Sequence, residues 1–407
     1  MLAILVLIQG FVSVWEGLRY HSYVLSTLRE ERIERPWPRV TVVVPCKGVD
    51  HELEENLKAV IRQDSPAHEI IFVSAREDDP AQEICRKLQA ELPLLPIQCL
   101  VAGTSDQRGE KVNNLLEAVR KADPSTEVFV FADSDAKPSQ SWLRELVSPL
   151  DTQGPPVGAT TGYRWYFPEF GNPSGVLRSA WNAGIATLLG PHDRNFCWGG
   201  STAIRRETFE RVRVGDYWQH SISDDYSMTQ ALKDAHLSIR FVPQCLLPSR
   251  GRTTWREVVQ WSTRQLIITR VYSNKLWKLA AVSQSVFALT VLLGSALLPR
   301  EWGLFFSSGM SFSTSTARFG VLPVTAFLLA IFLLGFVRGF FRWLSVRSIL
   351  PSHHENLDHF GWTYVFLPPL ISLFSAYILW RSALTNRVEW RDRVYKLMSS
   401  QEVKVLR

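Results

Sequence analysis

Cysteine is scarce and never closely spaced. The 407 residues contain five (Cys46, Cys85, Cys99, Cys197, Cys245), an odd number with no CxxC. That argues against a disulfide framework or a zinc site and fits reduced thiols in a cytosolic compartment. No nucleic-acid-binding motif occurs, so the formal charge of +6 calls for another anionic partner. Basic residues gather beside apolar stretches (Arg29, Arg32, Arg35; Arg264, Arg270, Lys275, Lys278), as in a chain lying against an anionic membrane surface. The apolar N-terminus shows neither the basic n-region nor the small-residue cleavage site of a signal peptide. Charged residues make up only 21% of the chain, against 46% hydrophobic residues and 15 tryptophans. This composition suits a soluble domain joined to membrane segments, in a length that holds two or three domains.

Residues 1–25 read as a transmembrane anchor, the alternative being an amphipathic helix on the membrane surface. The arginines behind it place the following domain in the cytoplasm. Pro36 and Pro38 then break the helix. From 36 to 253 short β-prone runs (40–44, 69–73, 100–102, 127–131) alternate with helical patterns (52–62, 81–90, 111–121). That alternation predicts an α/β domain with a doubly wound, mostly parallel sheet. Further strands are expected at 157–166 and 239–242, and helices at 142–150, 176–189 and 227–235. Residues 254–278 interleave Trp255, Val258, Leu266, Ile267 and Val271 with arginine and lysine, which predicts an interfacial helix rather than a core one. The region 279–380 carries three apolar stretches (279–298, 320–337, 360–380) near the length a bilayer needs. Pro368-Pro369 interrupts the last. If the anchor and all three stretches cross, the basic tail 381–407 lies opposite the catalytic domain, against the positive-inside rule. Either the last stretch turns back or the rule fails.

The chemistry gathers around Asp133 and Asp135, just after the apolar run 128–131. Residues i and i+2 of an extended segment point the same way, so the two carboxylates can share one divalent cation, and that cation can bridge to a diphosphate. The end of a parallel strand is where an open α/β sheet binds its ligand. The plain alternative is a polar turn. Three other clusters accompany the pair. Glu77-Asp78-Asp79 follows the second strand and offers carboxylates to a base or ribose, or is a solvated loop. Lys111 and Asn114 lie in Gly109-Glu110-Lys111-Val112-Asn113-Asn114, where Lys111 can neutralise phosphate or be a surface lysine. Asp224-Asp225 opens a helix after the Gly-rich turn 197–201, and serves as a helix cap or a general base. In this order the four clusters suit a nucleotide-sugar transferase.

Lys47-Gly48-Val49-Asp50, Asp78-Asp79-Pro80-Ala81, Lys111-Val112-Asn113-Asn114-Leu115, Asp133-Ser134-Asp135 and Asp224-Asp225-Tyr226, with the terminal Trp390-Arg391-Asp392-Arg393-Val394-Tyr395, make the chain resemble ceramide glucosyltransferases. These are GT-A-fold, inverting glycosyltransferases related to family 2, and bacterial and hopanoid-associated relatives share the pattern. The resemblance covers nearly the whole chain. It implies a GT-A type mixed sheet with an N-terminal anchor and C-terminal transmembrane helices, and transfer of glucose from UDP-glucose to a lipid hydroxyl. It implies Pro45, Lys47, Glu77, Asp78, Lys111, Asn114, Asp133 and Asp135 around the nucleotide sugar. Asp133 and Asp135 would hold Mg²⁺ or Mn²⁺. Asp225 would be the general base beside Asp224, and Arg264 would face the leaving diphosphate. His192, Cys197, Gly200 and Trp261 would lie on the acceptor side. Two positions depart from the pattern. Arg76 stands where relatives can have Asp, and Trp261-Ser262-Thr263-Arg264-Gln265 replaces (Q/R)xxRW, keeping only the arginine. A processive polysaccharide synthase and a catalytically inactive membrane scaffold are the alternatives. The few membrane segments argue against the first, and the intact aspartates against the second.

Overall fold

The computed structural model describes residues 2–30, 36–50, 52–66, 68–151, 157–191, 193–307 and 318–406. Its sheet contains β1 (Val40–Pro45), β2 (Glu69–Ser74), β3 (Ile97–Val101), β4 (Val128–Ala132), β5 (Val157–Tyr166), β6 (Ser201–Arg205) and β7 (Ser238–Ser249). The strand order is β3-β2-β1-β4-β6-β5-β7. β1 to β4 are mutually parallel, β6 runs antiparallel between β4 and β5, and β5 and β7 are parallel. The expected doubly wound mixed sheet is therefore present. Alternating side chains explain its two apolar faces. Val42, Val44 and Phe72 pack on one side with Leu57, Cys85 and Trp142. Val43, Ile71 and Phe131 pack on the other with Leu115, Trp218 and Ala231.

β1 pairs with β2 on one side and β4 on the other. Their C-terminal ends open a crevice at the point where the strand order reverses. The register does the rest. Ala132 at the end of β4 lies opposite Ser201 at the start of β6, so the turn Gly199-Gly200 sits beside Asp133. The late strand, expected at 239–242, runs on to Ser249 beside β5.

Three helices among the described residues are long and apolar enough to cross a bilayer: Leu2–Arg29, Asn274–Leu304 and Pro323–Ile349. The helix expected at 254–278 is present as Trp255–Tyr272, opened by a capping box between Thr254 and Glu257. It ends at Ser273, and residues 274–278 belong to the next, apolar helix. The stretch 360–380 divides into Gly361–Phe366 and Pro368–Ala383, and the 16-residue second piece is shorter than a span requires. A Cβ on Gly339 would meet the Tyr364 carbonyl oxygen at 2.2 Å, so this segment packs directly on the last long helix.

The tail is no loose basic extension. β8 (Arg387–Trp390), β9 (Arg393–Ser399) and β10 (Glu402–Val405) form an antiparallel sheet. Val388, Tyr395, Leu397 and Val403 bury themselves with Ile222 and Ile267 of the domain and the interfacial helix. The tail thus shares a side with the catalytic domain. A last apolar stretch that turns back, the first of the two ways out of the orientation problem, agrees with this docking and with the break between its two short helices.

Candidate active site

One cavity of about 710 Å³ runs from the end of β4 to the apolar helices. Asp133, Asp135, Asp224, Asp225, Lys111, Asn114, Pro45, Lys47, Cys197, Trp261 and Arg264 all line it. Lys111, in the first turn of helix Glu110–Lys121, sits between two carboxylates, 2.9 Å from Asp133 Oδ1 and 3.1 Å from Asp224 Oδ2. Burial works against its charge, yet Asp133 and Asp224 raise its pKa and hold it protonated. The partnership needs a bare backbone opposite. A Cβ on Gly199 would lie 1.9 Å from Asp224 Oδ2, and one on Gly200 would meet the Trp198 ring at 2.3 Å and Asp133 Oδ2 at 2.6 Å. The glycines are there because the turn passes too close to the charged pair for any side chain. Asn114 is buried, and its Oδ1 has no partner among the described residues.

Arg164 is the residue sequence reasoning missed. It is the lone charge on the ten-residue strand β5, and that isolation in a buried strand was the available signal. Its guanidinium donates to both oxygens of Asp135, at 2.9 Å to Oδ2, and lies 3.4 Å from Asp133 Oδ2. It also faces the Trp198 ring at 5.2 Å. Burial alone would raise the Asp135 pKa, but Arg164 outweighs it and holds the carboxyl below its ordinary range. The carboxylates fit a cation held between two side chains and completed by substrate phosphates, as hard divalent ions accept. No group of three or more metal-ligating side chains exists among the described residues, and Arg164 now makes the bridge between the two carboxylates.

Ser223, not an aspartate, caps helix Asp224–Asp234. Both aspartates therefore lie in its first turn with different environments. Asp224 is buried, and burial pushes its pKa up to about 6; Lys111 opposes the rise, while Asp225 and Asp133 add to it. Asp225 lines the cavity and uses only Oδ1, which accepts from Ser223 Oγ and, at 2.7 Å, from Tyr226 N. Its Oδ2 takes no hydrogen bond among the described residues and is available to a substrate hydroxyl.

Arg264 enters the cavity from helix Trp255–Tyr272 with no carboxylate partner among the described residues, its guanidinium 5.5 Å from the Trp390 ring centre. Burial lowers its pKa from the ordinary arginine value, the mark of a cation awaiting an anion. Trp261 packs edge-on against Trp181 and Tyr166, at 5.2 and 5.6 Å between centres, and so forms a wall of the same cavity. Cys197 is buried, its thiol pushed up to about 12 by that burial, which makes it a wall residue rather than a nucleophile. His192 lies outside the described residues.

Other residues fall elsewhere than expected. Glu77 and Asp78 sit outside the main cavity, beside a shallow depression, in exposed ion pairs with Arg86 and Arg76. Their neighbour Asp79 does the structural work, capping helix Pro80–Glu91 and accepting Gly48 N at 2.8 Å after β1. The ammonium of Lys47 is held by Glu110 and by Asp392 of the tail. Arg391, also on the cavity wall, joins Asp50 at 2.5 Å and the Lys47 carbonyl. The tail sheet is thus stapled to the turn after β1.

The model of glycosyl transferase family 21 matches residues 1–403. Ceramide glucosyltransferase 3 of Caenorhabditis elegans is 27% identical over 125 residues, 29% of this chain and 27% of that protein. Ceramide glucosyltransferase 1 of the same organism is 32% identical over 115 residues, 28% of this chain and 25% of that protein. The chain spans about a quarter of the length of these curated relatives. A mannosyltransferase from Pyrobaculum calidifontis, solved with GDP-mannose and Mn²⁺, superposes with a TM-score of 0.49 at 16% identity, over 94% of this chain and 98% of that one.

Proposed function

We infer that this chain, which belongs to glycosyl transferase family 21, transfers a hexose from a UDP-sugar, glucose by its resemblance, to a hydroxyl of a membrane lipid with inversion. The observation that carries this reading is the continuity of the cavity. It joins the carboxylates at the end of β4 to side chains of the bilayer-length helices, Leu276, Leu279, Arg338 and Arg342 among them. A sugar donor and a lipid can meet there without either leaving its own medium. Asp225 accepts the hydroxyl proton as the acceptor oxygen bonds to the anomeric carbon. The bond from that carbon to the diphosphate breaks, and Arg264 takes up the developing charge. Asp133 and Asp135 would hold a divalent cation, Mg²⁺ or Mn²⁺, which when bound supplies further charge to the diphosphate. Lys111 pairs with Asp133 and Asp224 and holds the two carboxylates in place. The catalytic domain is proposed to face the cytoplasm, where nucleotide sugars are made, in line with the arginines around Arg29.

The test uses detergent-purified full chain, a panel of UDP-sugars with Mg²⁺ or Mn²⁺, and lipid acceptors, read by mass spectrometry. One hexose added to one lipid class is the expected product. A ladder of oligosaccharides would replace the reading with a polymer synthase. Neither turnover nor UDP binding would leave a scaffold.

A further inference from the structure

Arg164 holds the carboxylates that a cation would need. Its Nη1 lies 2.9 Å from Asp135 Oδ2, and its Nη2 donates to Asp133 Oδ2 at 3.4 Å and to Asp135 Oδ1. Lys111 takes the remaining oxygen, Asp133 Oδ1, at 2.9 Å. Every carboxylate oxygen of the pair thus faces a protein cation. A divalent ion on the same oxygens would stand within a few ångströms of the guanidinium, and like charges that close repel.

The two protein cations differ in what they would keep. Lys111 also pairs with Asp224, at 3.1 Å. Arg164 has no ion pair outside Asp133 and Asp135 among the described residues. Its other neighbours are aromatic: Tyr166 Oη accepts from Nη1 at 3.1 Å, and the Trp198 ring centre lies 5.2 Å away. Its Nε is buried and has no hydrogen-bond partner. Pushed off the carboxylates, Arg164 becomes a buried guanidinium without an anion, which is strongly unfavourable. Its backbone is fixed, because β5 pairs with β7 at Arg164 and Leu247, and the Arg164 carbonyl accepts from Asn182 Nδ2 at 2.8 Å. Only the side chain can turn, and it does so within the wall of the same cavity. The anion that arrives there together with the cation is the donor's diphosphate, which a guanidinium can bind through two parallel hydrogen bonds.

We propose that Arg164 is a donor-binding residue that also guards the cation site, bridging Asp133 and Asp135 in the free enzyme and passing to the donor's diphosphate when a cation takes the carboxylates. This rests on the transferase reading and adds a residue to its donor site. A cation alone leaves the arginine stranded, whereas a cation with a diphosphate gives each charge a partner. Cation and nucleotide therefore strengthen each other's binding through Arg164, by the same factor in both directions.

The experiment follows free Mn²⁺ by electron paramagnetic resonance with the detergent-purified full chain, with and without UDP. Without UDP, Arg164→Gln should bind Mn²⁺ at least about tenfold more tightly than wild type, and adding Asp135→Asn should abolish the gain. At saturating Mn²⁺, Arg164→Gln should bind UDP about tenfold more weakly. A gain in Mn²⁺ affinity with unchanged UDP binding marks a mere counter-ion, and weaker UDP binding with no gain marks a plain phosphate ligand; either overturns the proposal. Arg264→Gln removes the same charge from the same cavity and should leave Mn²⁺ affinity without UDP within about twofold. A gain as large as that of Arg164→Gln would make the effect one of cavity charge and overturn the competition. Arg164→Lys keeps a charge in the wall but cannot fork across both carboxylates, so it should gain about threefold, and it serves if the glutamine variant does not fold. No gain in either folded variant overturns the proposal. The readout needs no turnover. A chain that shows the exchange but glycosylates no lipid would sink the transferase reading alone, and a transferase without the exchange would sink this proposal alone.

Discussion

Asp224 and Asp225 are neighbours in sequence with opposite duties, and each gives a prediction. Asp225 keeps one oxygen free in the cavity, so Asp225→Asn should reduce transfer about 10²–10⁴-fold while UDP-sugar binding stays within about twofold. Transfer near the wild-type rate would move the base elsewhere. Asp224 is held by Lys111, and its pKa rises to about 6, mainly through burial. Its folded-state pKa lies above that of an unfolded aspartate. It therefore binds a proton as pH falls through about 6, removing a negative charge and releasing Lys111 toward phosphate. UDP-sugar affinity at fixed metal should thus rise, by roughly threefold to tenfold, between about pH 8 and pH 5. Asp224→Asn should flatten that profile. A wild-type affinity that falls over the same range would show that another group governs the site. The importance of both aspartates was legible from their place after a Gly-rich turn. Their division of labour was not, because it depends on Lys111 arriving from a helix more than a hundred residues earlier.

At the scale of elements, the tail sheet changes most between expectation and structure. As sequence, residues 387–405 offer short alternating runs rich in charge, which say little about what they cover. In the fold, Val388, Tyr395 and Leu397 anchor the sheet to Ile222 and Ile267, next to the aspartates of helix Asp224–Asp234. Arg391 and Asp392 then reach the turn after β1. The sheet should therefore help shape the donor pocket. Arg391→Ala is expected to weaken UDP-sugar binding by about tenfold, through lost cavity charge and a loosened Lys47 turn, with the thermal midpoint lowered only slightly. Titration calorimetry on the purified variant checks this. Unchanged affinity would make the sheet a mere cover. The interfacial helix shows the opposite case. Its amphipathic pattern and Arg264 were readable in sequence, but its end at Ser273 was not, since the basic pattern runs on into the next helix.

For the whole molecule, three bilayer-length helices and a tail docked on the catalytic domain form one consistent topology. If all three cross, the first helix brings the chain to the catalytic side, the second leaves it and the third returns. Cysteines introduced at Asp106 and Ser400 should react with an impermeant thiol reagent from the same side of sealed vesicles. One introduced at Arg300, near the far end of the second helix, should react from the other. Opposite labelling of Asp106 and Ser400 would contradict the docked tail.

The sequence by itself determined the alternating α/β domain, the aspartates at the end of its fourth strand, the amphipathic helix and the apolar stretches. Each is written in a local period or a short spacing. Only the tertiary structure decided that Arg164 forks onto Asp133 and Asp135, that Glu77 and Asp78 sit outside the main cavity, that the last apolar stretch divides into two short helices, and that Arg338 and Arg342 share a cavity with the reaction centre. Those are contacts between residues far apart in the chain, and they follow from how the sheet and helices pack.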